Sequence, residues 1–233
     1  MAGSNTISEN IRQIQLRLDS HVLQYHRQRN ELRLLAVSKG HDAAALRQAY
    51  ACGLREFGES YVQEAITKIQ ALSDLAITWH FIGAIQSNKT RDIALHFDWV
   101  HSIDRLKIAQ RLSEQRPADK PPLQVCLQIN ISNEASKSGI ALGELQKLAT
   151  AVAKLPGLQL RGLMALPQAS EDLNEQRQAF HQMHLAFRQL RSLGFMLDTL
   201  SMGMSGDMEA AIAEGSTLLR IGTAIFGERP AAH

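Results

Sequence analysis

The chain has 233 residues, with 25 Lys and Arg against 23 Asp and Glu, so its formal net charge is +2. Hydrophobic residues make up 45% and charged residues 21%, the balance of a globular protein with a sizeable core, which excludes disorder, collagen-like and coiled-coil architectures. The near-neutral charge carries no clustered basic run, which excludes a sequence-blind nucleic-acid binder, and no apolar run approaches the roughly 20 residues of a membrane span.

Cys52 and Cys126 fit neither a metal-ligand spacing nor a disulfide framework, and read as buried small residues of a reducing compartment. The N-terminus lacks a basic-then-apolar leader pattern, so a cytoplasmic protein is expected.

Along the chain, Ile7, Ile11, Ile14, Leu18, Val22 and Tyr25 recur at helical spacing and predict a helix over 6–29, capped by Thr6 or Ser8. The period then changes and repeats. A β-compatible run at 32–38 precedes a helix over 42–52, stopped by Gly53. A strand at 55–58 leads to a helix over 61–72, and a strand at 77–83 to a helix over 88–96. A fourth strand at 99–103 precedes a helix that Asp104 caps and that runs to Gln115. The proline-rich stretch 116–122 is a loop, since a helix cannot cross it. Strands at 123–130, 158–166, 199–203 and 217–221 alternate with helices over 142–155, 173–193 and 208–214. Strands alternating with helices imply parallel pairing, and eight such units are the number that closes a (β/α)8 barrel. The expected fold class is therefore α/β, a single TIM-type barrel over 1–233 with an extra N-terminal helix. The alternative, an open doubly wound sheet, lacks its glycine-rich first turn, because Ser38-Lys39-Gly40 is no dinucleotide fingerprint.

Barrel enzymes and binders work at the C-terminal ends of their strands. Of the eight lysines, Lys39 closes a predicted strand, whereas Lys68, Lys107, Lys147 and Lys154 fall within helices. A lysine at a barrel mouth is partly desolvated, which favours the neutral nucleophilic amine. Near the other end of the chain, Met204-Ser205-Gly206-Asp207 and Gly222-Thr223 are small-residue turns leading into helices. Free amides and the hydroxyls of Ser205 and Thr223 make such turns candidates for a phosphate. Barrel closure would set Lys39 across the mouth from them. Arg220 lies within the last strand among apolar residues and needs an acceptor, such as a pyridine nitrogen or a carboxylate. An amine facing a phosphate site suggests a phosphosugar lyase or a pyridoxal phosphate site. His80 and His101, in strands three and four, are candidates to line the pocket or to be satisfied core residues.

The segments LLAVSK (34–39), FGESYVQEA (57–65), WHFIGAIQSNK (79–89), HSIDR (101–105), LQINIS with KSG (127–132, 137–139), GLMALP (162–167) and SMGMSGDMEAAIAEGSTLLRIGTAIFG (201–227) closely resemble the pyridoxal phosphate homeostasis protein family. That family is related to the N-terminal barrel of alanine racemases, and the resemblance spans essentially all of the chain. It implies that Lys39 carries pyridoxal 5'-phosphate as an internal aldimine. It also implies that Ser205, Gly222 and Thr223 surround the phosphate and that Arg220 faces the pyridine nitrogen. Met204, Gly206, Ser60 and His80 complete the expected cofactor-binding set. The resemblance implies a regulator or carrier of cellular pyridoxal phosphate, affecting amino-acid and keto-acid balance, rather than an enzyme. This chain departs from the family at Ser60, where Asn is common, at Gly40-His41-Asp42, and at Gly206, where a polar residue is frequent.

The alternative function is a weak amino-acid racemase. It would need acid/base groups on both faces of the cofactor, and of the three tyrosines only Tyr61 approaches the mouth. Expected partners are pyridoxal phosphate and dependent apo-enzymes, with no nucleic acid or membrane, and the barrel is expected to act as a monomer. The helix over 6–29 and the loop 133–139 are candidate contact surfaces, and Lys137 a candidate second amine.

Overall fold

Thr6 opens the first helix: its hydroxyl accepts the Glu9 amide at 3.2 Å, and helix α1 (Ile7–Gln24) follows. In the computed structural model, which describes residues 6–132 and 138–228, this helix is shorter than the periodicity predicts. His26 takes a left-handed φ of 52°, and residues Arg29–Glu31 form a separate 3-10 turn. The guanidinium of Arg27 donates to the carbonyls of Ser216 at 2.6 Å and Ile212 at 3.3 Å. That anchor draws the chain off the helix axis and into the first strand.

Strand–helix units then repeat: β1 (Arg33–Val37), α2 (Ala43–Ala51), β2 (Glu56–Glu59), α3 (Val62–Ala71), β3 (Thr78–Phe81), α4 (Thr90–His96), β4 (Trp99–Ile103) and α5 (Leu106–Gln115). They continue as β5 (Leu123–Ile129), α6 (Leu145–Val152), β6 (Leu158–Ala165), α7 (Leu173–Ser192), β7 (Thr199–Ser201), α8 (Met208–Ala213), β8 (Leu218–Ile221) and α9 (Thr223–Phe226). All neighbouring strands pair in parallel, and β8 returns to β1 to close an eight-stranded barrel. The closing register pairs Leu35 with Arg220 and Ala36 with Ile221.

Three helix starts differ from expectation. Asp104 does not cap α5; Arg105 holds the N-cap position and donates to Asp104 at 2.7 Å instead. The helices predicted over 88–96 and 142–155 each open with a 3-10 turn, at Ser87–Lys89 and Leu142–Glu144.

Side chains alternate across each strand. Phe57, Trp79, Phe81, Val100, Leu127, Leu163, Leu200, Leu219 and Ile221 face outward and pack with the helices in the main apolar core. Their neighbours on the other face fill the barrel interior. There Trp99, Cys126 and Met164 form a separate small cluster, and polar residues share the space: His80, His101, Ser201 and Arg220 are all at most 3% exposed. Burial pushes the Cys126 thiol up to about 12, so it acts as a small apolar residue. Both cysteines are free thiols; Cys126 is buried as expected, whereas Cys52 is only half-buried.

Strands β6 and β7 approach so closely at Gly162 that a Cβ there would sit 1.6 Å from the Thr199 carbonyl oxygen. Nothing but glycine fits, because the obstructing atom is backbone. Gly162→Ala should abolish soluble expression or remove the cooperative thermal transition, as followed by circular dichroism. A variant that melts like the wild type would show that β6 and β7 can part without loss of the barrel.

Candidate functional site

A cavity of about 300 Å³ opens at the C-terminal ends of the strands, within the range of small-molecule sites. Val37, Ile82, Leu166 and Met204 give it apolar walls, and Lys39, His41, Ser60, Ser205, Gly206, Arg220, Gly222 and Thr223 give it polar groups. Eight of the nine residues predicted as cofactor-binding therefore meet in one cavity: Lys39, Ser60, Met204, Ser205, Gly206, Arg220, Gly222 and Thr223. They come from the ends of β1, β2, β7 and β8, and closure of β8 on β1 joins the two halves.

His80 is the exception. It shares a face of β3 with Ile82, one interior layer below the cavity, and is fully buried. His41 was not among the expected residues. It follows Lys39 by two positions, and its ring stacks on Phe226 of α9 with centroids 5.0 Å apart. Its closeness to Lys39 in the sequence was the available signal. Tyr61 is 58% exposed at the start of α3 and does not line the cavity. Lys137 and most of the loop 133–139 lie outside the described residues.

The turns at 204–207 and 222–223 are shaped by their own chain. Gly203 has a φ of 98°, and a Cβ there would meet Ala211 and Leu219 at 2.4 and 2.5 Å. The Asp207 carboxylate accepts the Met204 amide at 2.5 Å and closes the first turn. Helices α8 and α9 have six and four residues, so their dipoles add little; the donors available to an anion here would be the local amides and the Ser205 and Thr223 hydroxyls. Helix α1 braces the first turn and α9, which follows the second, from outside. Arg17 donates to the Ser205 carbonyl at 3.4 Å, and Asn10 to that of Ile225 at 2.9 Å. A Cβ at Gly206 would meet open space, so the departure from a polar residue there leaves the turn unobstructed.

Arg220 is held from below. Its Nη1 donates to the Ser201 carbonyl at 2.6 Å and to Ser201 Oγ at 2.8 Å, and Nη2 donates to the Ala165 carbonyl at 2.9 Å. None of these bonds uses Nε. Burial lowers the guanidinium to about 10, which still keeps it charged at neutral pH. Its positive charge is fixed at the cavity, fed by carbonyl dipoles rather than by a carboxylate.

A polar chain continues downward from Arg220. Ser201 Oγ lies 2.8 Å from His101 Nδ1, and His101 Nε2 lies 2.9 Å from His80 Nδ1. His80 Nε2 faces Glu56 at 3.3 Å, an ion-pair distance without hydrogen-bond alignment. Arg33 grips the same carboxylate through Nη2 at 2.7 Å. One proton order, assigned from the partners, suits every member. Arg220 gives to Ser201, Ser201 to His101, His101 to His80, and the last N–H lies on the Glu56 side without bonding it. This order needs both imidazoles neutral. Burial provides that, lowering His80 and taking His101 well below 6.5. Burial would also raise Glu56, but His80 and Arg33 outweigh it and hold the carboxyl at about 2. Among the described residues there is no cluster of His, Cys, Asp or Glu fit to hold a metal, and no helix long and apolar enough to cross a membrane.

The residues present fit a phosphorylated aldehyde with an aromatic ring. The amine of Lys39, the anion donors of two turns, the apolar walls and a fixed cation from Arg220 all line one cavity.

Known proteins share this arrangement of sequence and fold. The alanine racemase N-terminal domain family matches residues 6–230. The pyridoxal phosphate homeostasis protein of Pseudomonas aeruginosa is 57% identical over 229 residues, covering 97% of this chain and 96% of that protein. Its namesake from Escherichia coli strain K12 is 53% identical, covering 97% of each. The solved structure of PipY from Synechococcus elongatus PCC7942 with PLP bound is 36% identical, with a TM-score of 0.84 over 95% of this chain and 100% of that one.

Acid should destabilise this protein through its buried histidines. Unfolded, His80 and His101 take a proton near 6.5, whereas folded they resist it. Below that pH the unfolded chain binds more protons, so stability falls as pH falls through about 6.5. Glu56 adds a further loss between 4.5 and about 2, where only its unfolded form is protonated. Urea unfolding between about pH 8 and about pH 5 should show this decline, and His101→Asn should flatten it. An unchanged unfolding free energy across that range would refute neutral buried imidazoles.

Proposed function

The chain belongs to the pyridoxal phosphate homeostasis proteins of the alanine racemase N-terminal domain family, and on that premise we propose that it binds pyridoxal 5'-phosphate covalently at Lys39 and serves its supply in the cell. The observation that carries this reading is one cavity lined by Lys39, Arg220 and the two small-residue turns. When bound, the cofactor supplies an aldehyde and an electron-withdrawing ring.

The residues take separate parts. Lys39 offers the amine that holds the aldehyde carbon. Ser205, Gly206, Gly222 and Thr223 bind the phosphate, and Ser60 and Met204 border the ring. Arg220 faces the ring nitrogen and keeps it unprotonated, because a guanidinium does not surrender its proton. A ring so held is a weak electron sink, which suits storage and transfer better than carbanion chemistry. His80 acts at one remove, by orienting His101 beneath Arg220.

The relatives' names describe homeostasis, not a reaction, and the reading here is likewise a carrier or regulator rather than an enzyme. Cytoplasmic location, action as a monomer, one functional unit over 1–233, and delivery to dependent apo-enzymes belong to the same proposal. The PLP-bound relative and the open cavity mouth support it.

The test is spectroscopic. Wild-type protein mixed with pyridoxal phosphate should develop the visible absorbance of a lysine-bound cofactor. Lys39→Ala should lose that band and any borohydride-fixed mass increase. Alanine of either hand should keep its chirality during incubation. Full labelling of Lys39→Ala would overturn the site, and steady racemisation would overturn the carrier reading.

A further inference from the structure

A second lysine stands behind the first. Lys68, on α3, has a side chain 6% exposed, and its ammonium group meets three acceptors. These are the Ser38 carbonyl at 2.8 Å, Glu59 Oε1 at 2.7 Å and Glu64 Oε1 at 2.5 Å. An ammonium has three N–H donors, so Lys68 is fully committed and offers no competing amine. The acceptors reach onward to the chain beside Lys39. Ser38 Oγ donates to Glu59 Oε1 at 2.5 Å, and the Gly40 amide donates to Glu64 Oε1 at 2.6 Å.

The Ser38 carbonyl belongs to the peptide plane entering Lys39, and the Gly40 amide to the plane leaving it. Both planes that meet at the Lys39 Cα are thus held by one charged cluster from β2 and α3. Gly40 itself has a φ of 81°, in the left-handed region that favours glycine. Glu59 is fully buried and Lys68 nearly so. A cluster of this kind is a poor source of stability compared with an apolar one, but it fixes geometry.

We propose that Lys68, with Glu59 and Glu64, is a positioning device for Lys39, setting the backbone from which its amine meets an aldehyde. This rests on the reading of Lys39 as the cofactor lysine. Lys68 touches no cofactor atom in this role. Loss of the device leaves the amine in place but lets its backbone wander, and fixing one residue's backbone is worth about a tenfold change in capture.

Capture of pyridoxal phosphate by the purified chain, read as rate and affinity from absorbance, tests this. Borohydride fixation and peptide mapping then locate the label. Glu64 is partly exposed, so Glu64→Ala should fold and melt as the wild type does. It should slow capture and weaken affinity about tenfold, with the label still on Lys39. Glu64→Gln keeps an oxygen for the Gly40 amide and should restore most of the loss. A solely structural role would not separate these two variants. Lys68→Met together with Glu59→Gln removes both buried charges at once and should match or exceed the Glu64→Ala defect. Wild-type capture by Glu64→Ala overturns the proposal, as does an equal defect in Glu64→Gln. Labelling of Lys39→Ala is a different failure, one that falls on the cofactor site itself.

Discussion

The pairing of β8 with β1 is the constraint on which the rest of this structure depends. Leu35 meets Arg220 and Ala36 meets Ile221, and the chain beyond each strand follows that register. Lys39 then lines the same cavity as Gly222 and Thr223, though more than 180 positions separate them in the sequence. Without closure, the amine and the anion-binding turns are unrelated pieces of surface. Eight parallel strands supply the closure.

Closure also creates an interior that outward-facing apolar residues do not fill. That interior is polar along one line, from Arg220 through Ser201, His101 and His80 to Glu56. Every member of such a line must be satisfied or the fold loses stability. The line is oriented, because Arg220 can only donate and Glu56 is held as a carboxylate. The positive end lies at the cavity and the negative end at the opposite mouth, where Arg33 neutralises it. The cavity therefore meets a cation whose direction is set by groups far beneath it.

Much of the fold could be read in the sequence, since alternating strand and helix patterns name a parallel barrel and count its units. The site was partly legible for the same reason: Lys39, Ser205 and Thr223 follow strands, and the ends of strands form the mouth. His80 was misplaced because sequence cannot distinguish a strand's last inward residue from the one beneath it; Ile82, two positions on, is the one that reaches the cavity. The role of Lys68 was hidden for a related reason. A lysine within an amphipathic helix reads as a solvated face, and only the packing of α3 against β2 shows that its ammonium group turns inward. Asp104 has the character of a helix cap, yet it pairs with its neighbour Arg105, a choice between two local partners that periodicity does not rank.

The bracing of the mouth by α1 has a consequence for how the molecule comes into being. Asn10 reaches the carbonyl of Ile225, and Tyr25 reaches Glu209, across 215 and 184 positions of chain. The apolar stripe of Ile11, Ile14, Leu18 and Val22 can meet α2 early, but its contacts with α8 and α9 await the last strand–helix units. Contacts of such long range form late and slowly. A nascent chain halted before residue 220 has a lysine but no counterpart to it. The cavity is therefore complete only in a chain that includes the final strand, and a ligand bound there would favour the closed barrel over the unfinished one.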